Sequence, residues 1–97
     1  MPGIDLSILV PAYNEAGEIE ANLKEMEAAL DGKGVVYEII VVDDGSRDAT
    51  AKAAERRTRA GAPVRVVRKE KNEGKGWALR HGFAQCRGAY VAFLDAD

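Results

Sequence analysis

Residues 37–46 read Tyr-Glu-Ile-Ile-Val-Val-Asp-Asp-Gly-Ser. The run Tyr37–Val42 is almost continuously apolar, and it stops abruptly at two carboxylates and a glycine. A half-exposed strand would alternate apolar and polar residues. A strand buried on both faces reads as an unbroken apolar run, and such strands belong to parallel sheets covered by helices. Ala89–Leu94 has the same character, and Leu6–Val10 and Val64–Arg68 are two further strand-like runs.

Three helical segments separate these runs. The first, about Ala16–Leu30, carries Ile19, Leu23, Met26 and Leu30 on one helical stripe, with Asn14 as the expected N-cap. The second, about Asp48–Ala60, has only small residues (Ala49, Ala53 and Ala60) for an inward face. The third, about Gly76–Cys86, sets Leu79, Phe83 and Cys86 on its apolar side, and Gly88 is placed to end it. The order β-α-β-α-β-α-β predicts a doubly wound α/β layer with right-handed crossovers. The last residues, Leu94-Asp95-Ala96-Asp97, close on the edge where such sheets bind ligands. Residues 1–97 are therefore expected to be the N-terminal part of a longer protein, an incomplete domain.

Composition narrows the function classes. Hydrophobic residues make up 46% and charged residues 31%, which suits a globular chain and not a disordered one. No uncharged apolar stretch is long enough to span a bilayer, and no secretory signal precedes the first strand. The single cysteine, Cys86, allows neither an internal disulfide nor a cysteine-based zinc site and is expected as a buried thiol. A cytoplasmic setting is the default. Residues 1–46 hold ten acids and two bases, whereas residues 47–80 hold eleven bases and four acids. That asymmetry describes either a solvated basic helix or a patch for phosphate-bearing ligands. No zinc-finger spacing or RNA-binding aromatic motif supports nucleic acid as a partner.

Polar clusters follow every strand: Pro11-Ala12-Tyr13-Asn14-Glu15, Asp43-Asp44-Gly45-Ser46, Asn72-Glu73-Gly74-Lys75-Gly76 and Asp95-Ala96-Asp97. All fall at one edge of a parallel sheet, which points to a shared site. Asp95 and Asp97 flank a small residue and supply hard oxygen ligands suited to Mg²⁺ or Mn²⁺ together with substrate phosphates. Asp43 and Asp44 have two readings, a turn that leads into a helix capped by Ser46 or Asp48, or acceptors for ribose hydroxyls and a base N–H. Gly74-Lys75-Gly76 before a helix either exposes N–H groups and a cation to phosphate or is a flexible packing loop. It matches neither Walker A nor G-x-G-x-x-G. Tyr13 could stack on a base or pack as an ordinary aromatic. Trp77 and the lone histidine, His81, read as packing or surface residues.

These four clusters, in this order and over nearly the whole chain, resemble the N-terminal nucleotide-binding half of family 2 glycosyltransferases of the GT-A fold. The detail is most similar to the branch that transfers sugars to dolichol or polyprenol phosphate, the mannosyltransferases among them. The resemblance implies a Rossmann-like, three-layer α/β/α fold, truncated here, with parallel strand order 3-2-1-4. It also implies a nucleotide-diphosphate-sugar site, GDP- or UDP-linked. Pro11, Tyr13 and Glu15 match the family's first loop, at the nucleoside. Val42, Asp43 and Asp44 match the loop around base and ribose. Asp95, Ala96 and Asp97 match the D-x-D motif that holds the divalent metal, Mg²⁺ or Mn²⁺, and the diphosphate.

The acceptor implied is a polyprenyl phosphate, a polysaccharide or a protein, and the full-length protein is expected at a membrane in the first case. No residue of this chain matches a catalytic base, so the chain alone is expected to bind donor without transferring sugar. Further strands are expected beyond the fourth, and the bare edge left there invites self-association. The competing readings are a nucleotidyltransferase-type or a non-catalytic sugar-nucleotide-binding module. The first normally has a glycine- and arginine-rich loop after strand one, which Pro11–Glu15 is not.

Overall fold

The structure, a computed structural model, describes residues 3–95. Its elements run β1 (Leu6–Ala12), α1 (Ile19–Leu30), β2 (Tyr37–Asp44), α2 (Thr50–Arg59), β3 (Val64–Lys69), α3 (Lys75–Phe83) and β4 (Tyr90–Phe93). The strands form one parallel sheet in the order β3-β2-β1-β4. All eight residues of β2 are buried, as its apolar run requires of a strand covered on both faces.

Strand alternation divides the core in two. Ile8 and Val10 of β1 join Ile39 and Val41 of β2 on the face covered by α1 and α2, against Ile19, Leu23, Ala53 and Ala54. Leu9, Ile40 and Val42 point to the opposite face, where Ala78 of α3 closes over them. The result is the expected three-layer sandwich, with two helices on one side and one on the other.

Several local expectations are corrected. Asn14 does not cap α1: the helix begins at Ile19, and its N-cap, Glu18, makes no side-chain cap bond. The side chain of Asn14 instead accepts a hydrogen bond from the Arg47 N–H at 2.9 Å. On α2 the buried residues are Thr50, Ala51, Ala53 and Ala54, whereas Ala49 and Ala60 are exposed. On α3 the inward residues are Ala78 and Gly82, and Phe83 is exposed. The helix lies so close to the sheet that a Cβ on Gly82 would stand 2.2 Å from Leu9 Cδ1. Small residues mark the centre of this contact face, and Leu79 and Cys86 pack at its margin as expected. Cys86 is half-buried, and burial raises its thiol pKa. Gly88 lies five residues beyond the end of α3 and packs on β1 instead of capping the helix.

The sheet also explains the ends of the strands. β4 pairs with β1 only from Leu6 to Leu9, while β2 follows β1 as far as Ala12. Beyond Leu9 one flank of β1 is unpaired, so Pro11, which has no N–H, stays in register with Val42. Among the described residues the short β4 does not cover the carboxyl end of β1 on that side.

Part of the charge asymmetry of the sequence is met by ion pairs between the two halves. Arg56 pairs with Glu20, Arg57 with Glu27, Arg65 with Glu38 and Arg68 with Asp43. These four arginines of the basic middle of the chain are laid against the acidic first half, while Arg47, Lys52, Arg59, Lys71 and Arg80 are exposed. Among the described residues no helix is long and apolar enough to cross a membrane.

Candidate functional site

A cleft of about 250 Å³ opens at the carboxyl edge of the sheet. β1 contributes Pro11 and Ala12, and the loop behind it Tyr13 and Glu15. Asp44 comes from the end of β2, and Asn72, Gly74 and Lys75 from the segment between β3 and α3. Ala78 forms part of one wall, and Asp95 stands at the exit of β4. Residues from the ends of all four strands thus converge, as polar clusters beyond parallel strands should.

Asp44 is the best-anchored acid of the site. Its Oδ1 accepts the Glu73 N–H at 3.0 Å and its Oδ2 accepts the Gly74 N–H at 2.9 Å. These bonds hold the loop before α3 against the end of β2. Each carboxylate oxygen offers two lone pairs, so both retain capacity for a ligand N–H or hydroxyl. Gly45 makes the approach feasible: it has φ of 74°, and a Cβ there would stand 2.5 Å from the Asn72 nitrogen.

Lys75 opens α3, whose first turn contains no acidic residue, and its ammonium lies 2.5 Å from Asp95 Oδ1. A helix N-terminus carries partial positive charge and N–H groups with no partner in the helix, which together favour phosphate. Asp95 is already engaged by a cation. Divalent ions of the Mg²⁺ type commonly take one or two carboxylates and fill their other positions with water and substrate phosphate. A rim carboxylate next to a phosphate-favouring helix end fits that pattern. Among the described residues no three His, Cys, Asp or Glu side chains gather into a metal cage.

Of the residues singled out in the sequence, Pro11, Tyr13, Glu15, Asp44 and Asp95 meet in this cleft. Val42 and Asp43 do not line it. Val42 is fully buried beneath α3. Asp43 is buried on the other face, where it accepts the Ser46 N–H at 3.0 Å and lies 3.7 Å from Arg68 Nε. Alternation along a strand sends neighbouring carboxylates to opposite faces, so only one of the pair can face the cleft. Ala96 and Asp97 lie outside the described residues. Asn72, Gly74 and Lys75, from the third of the four clusters, join the cleft although the sequence assigns them no binding role beyond the candidate phosphate loop before α3. Ala78 carries no chemical signal in the sequence. Trp77 and His81 stack on each other at 4.6 Å between ring centroids, with Lys69 over the Trp77 ring, and neither lines the cleft.

A larger groove of about 580 Å³ meets the cleft at Asp95 and runs between α1 and β4. Leu6, Ile8, Met26, Leu30, Ala92 and Leu94 make it mostly apolar. It exceeds the cleft in size but has only Asn22, Glu25 and Asp95 as polar lining, so the cleft is the better candidate for chemistry.

Comparison with known proteins agrees with this geometry. The chain is similar to dolichyl-phosphate beta-glucosyltransferase of Drosophila melanogaster, 41% identical over 103 residues that cover 99% of this chain and 32% of that protein. It is likewise similar to the undecaprenyl-phosphate 4-deoxy-4-formamido-L-arabinose transferase of Pseudomonas fluorescens, 41% identical over 95% of this chain and 27% of the relative. A mannosyltransferase from Pyrobaculum calidifontis, solved in complex with GDP-Man and Mn²⁺, superposes with a TM-score of 0.84 at 30% identity, over 100% of this chain and 28% of that one. The chain spans about a third or less of the length of these proteins. The sequence model of glycosyl transferase family 2 matches residues 7–97, nearly the whole chain, and the chain belongs to that family.

Proposed function

We propose that this chain forms the donor side of a glycosyltransferase that takes sugar from a nucleoside diphosphate. The observation that carries the reading is the meeting of Asp44, Lys75, Asp95 and Tyr13 at one cleft built from all four strand ends. Tyr13, 41% exposed at the mouth, offers a ring face to a nucleobase. Asp44 accepts from base or ribose while it clamps the Glu73–Gly74 backbone. The N-terminus of α3 and Lys75 face the diphosphate.

Asp95, with Asp97 by the family's motif, would hold the divalent ion, Mg²⁺ or Mn²⁺. When bound, such an ion stabilises the negative charge that grows on the departing diphosphate. Val42 and Asp43 serve from below, one as the floor under α3 and the other as the brace of Ser46. The acceptor we propose is a polyprenyl phosphate, the class named for two of the relatives above. A phosphate is already anionic at neutral pH and needs no base to ionise it. The whole enzyme would then work where that lipid resides, at a membrane surface. We also propose that β4 and the groove beside it are self-associating surfaces in this chain.

Thermal denaturation with UDP and with GDP, each with and without Mn²⁺, tests the donor reading. At a ligand concentration a hundred times Kd, binding stabilises the fold by about 2.7 kcal/mol. A metal-dependent rise in Tm with one of the two nucleotides is expected. No rise with either, in Mn²⁺ or Mg²⁺, overturns the proposal.

A further inference from the structure

The loop that carries Tyr13 and Glu15 has little regular structure of its own, yet its backbone is tied at three consecutive residues to the segment that follows β2. The Asn14 N–H donates to Ser46 Oγ at 2.8 Å, and the Glu15 N–H donates to Thr50 Oγ1 at 2.8 Å. The Ala16 N–H donates to Asp48 Oδ2 at 3.2 Å. In return the Arg47 N–H donates to Asn14 Oδ1 at 2.9 Å. Asn14 sits at φ of 52°, a left-handed conformation that asparagine tolerates better than most residues. Ser46, Asp48 and Thr50 do not line the cleft.

The three acceptors are themselves oriented. The Thr50 hydroxyl donates to Asp48 Oδ1, which turns an oxygen lone pair toward Glu15. The Thr50 N–H also donates to Asp48 Oδ1, at 3.0 Å. Ser46 is fixed through its own N–H by Asp43 Oδ1 at 3.0 Å. Thr50 and Ser46 are buried, so water is a poor substitute for either hydroxyl. Two branches reach the loop, one from the sheet through Asp43 and Ser46 and one through Asp48 and Thr50.

We infer that Ser46, Asp48 and Thr50 are positioning residues: they clasp residues 14–16 in one pose and thereby set Tyr13 and Glu15 for the donor. The inference rests on the donor reading above, but the clasp exists without ligand. Donor affinity then depends on hydroxyls that never touch the donor. Thr50→Val keeps the shape and removes the acceptor, and Thr50→Ser keeps the acceptor. Ser46→Ala removes the second tie. Thr58→Val is the control, because Thr58 makes a comparable bond on the same helix, to the Val64 carbonyl at 2.6 Å, away from the loop.

Two readouts on the 97-residue chain decide the matter, both taken well below the melting temperature. Amide hydrogen exchange at Asn14, Glu15 and Ala16 reports the clasp directly, and calorimetric titration with UDP and GDP in Mn²⁺ reports its consequence. Thr50→Val and Ser46→Ala should each speed exchange and weaken nucleotide binding by about fivefold, the effect of about one net hydrogen bond. Thr50→Ser should restore both, and Thr58→Val should change neither. Unchanged exchange in Thr50→Val and Ser46→Ala overturns the clasp. Faster exchange with unchanged affinity overturns its role in positioning. A wild-type chain that binds neither nucleotide overturns the donor reading and the positioning role with it, and protected amides would then place the failure in the ligand and not in the clasp.

Discussion

Gly88 shows how much a single residue decides. Its N–H donates to Ser7 Oγ at 2.8 Å. A Cβ in its place would stand 2.6 Å from the Ser7 nitrogen and 2.8 Å from the Leu6 carbonyl carbon, both backbone atoms of β1. Side chains can rotate away from such a contact, but the central strand of a sheet cannot. Gly88→Ala is therefore expected to lower stability by about 1–3 kcal/mol, the range for overpacking a filled site. Gly17 has open space around it, with nothing within 4 Å of where an added methyl would sit, and Gly17→Ala should fall within about 0.5 kcal/mol of wild type. Urea denaturation of the two variants checks this, and equal loss in both would contradict the packing argument. The same logic explains why the sequence points to the wrong role for Gly88. A glycine after a helical stretch suggests a helix end, and only the fold reveals that β1 passes against it.

At the scale of elements, the buried cluster around Glu38 ties β2, β1, β3 and the approach to β4 together. Glu38 Oε2 accepts from Ser7 Oγ at 2.6 Å and from the Arg87 N–H at 2.7 Å, and Oε1 accepts from Arg65 at 3.1 Å. Burial pushes its pKa up, but the bonds from Ser7, the Arg87 N–H and Arg65 outweigh burial, so the net shift is downward from 4.5. A carboxylate whose pKa is depressed by folding adds stability above its unfolded pKa and loses it as the pH falls through the folded value. Glu38→Gln should thus cost about 2 kcal/mol at pH 7, the scale of hydrogen bonds to a charged group. The gap between variant and wild type should narrow as the pH drops below 4.5. Denaturant unfolding at pH 7 and pH 3 measures both, and a gap independent of pH would contradict the account.

The central strand is legible in the sequence because burial on both faces leaves an unmistakable apolar run in Tyr37–Val42, whereas the strand order comes from the family resemblance. Strand ends and helix faces are less legible. Pro11 stays in β1 only because β4 is short, and α3 turns Ala78 and Gly82 inward because it packs too closely for Phe83. Half of the site is legible for a related reason: carboxylates and Tyr13 after strand ends stand out as chemistry, whereas the Ser46–Thr50 clasp is made of common turn residues and becomes visible only with its partners.

Across the whole molecule, β3 and β4 form the two edges of the sheet, and the β4 edge is the apolar one. Tyr90 is 77% exposed, Phe93 54% and Leu94 44%, all on or next to β4. The groove between α1 and β4 lies beside them. A parallel edge strand carries unpaired N–H and C=O groups that a second copy can satisfy, and apolar side chains on the same edge add burial. The chain is expected to dimerise with rising concentration through β4. Tyr90→Lys, which places a charge on that edge, should return it to monomer. Light scattering coupled to gel filtration distinguishes these outcomes, and a wild-type monomer at every concentration would contradict them.

The carboxyl rim of the sheet bears the central claim. The most direct measurement is calorimetric titration of the wild-type chain and Asp95→Asn with UDP and GDP, each with and without Mn²⁺. The account predicts nucleotide binding that strengthens with Mn²⁺ in the wild type and loses that metal dependence in Asp95→Asn. Binding of neither nucleotide, or a metal effect that survives in Asp95→Asn, would contradict it.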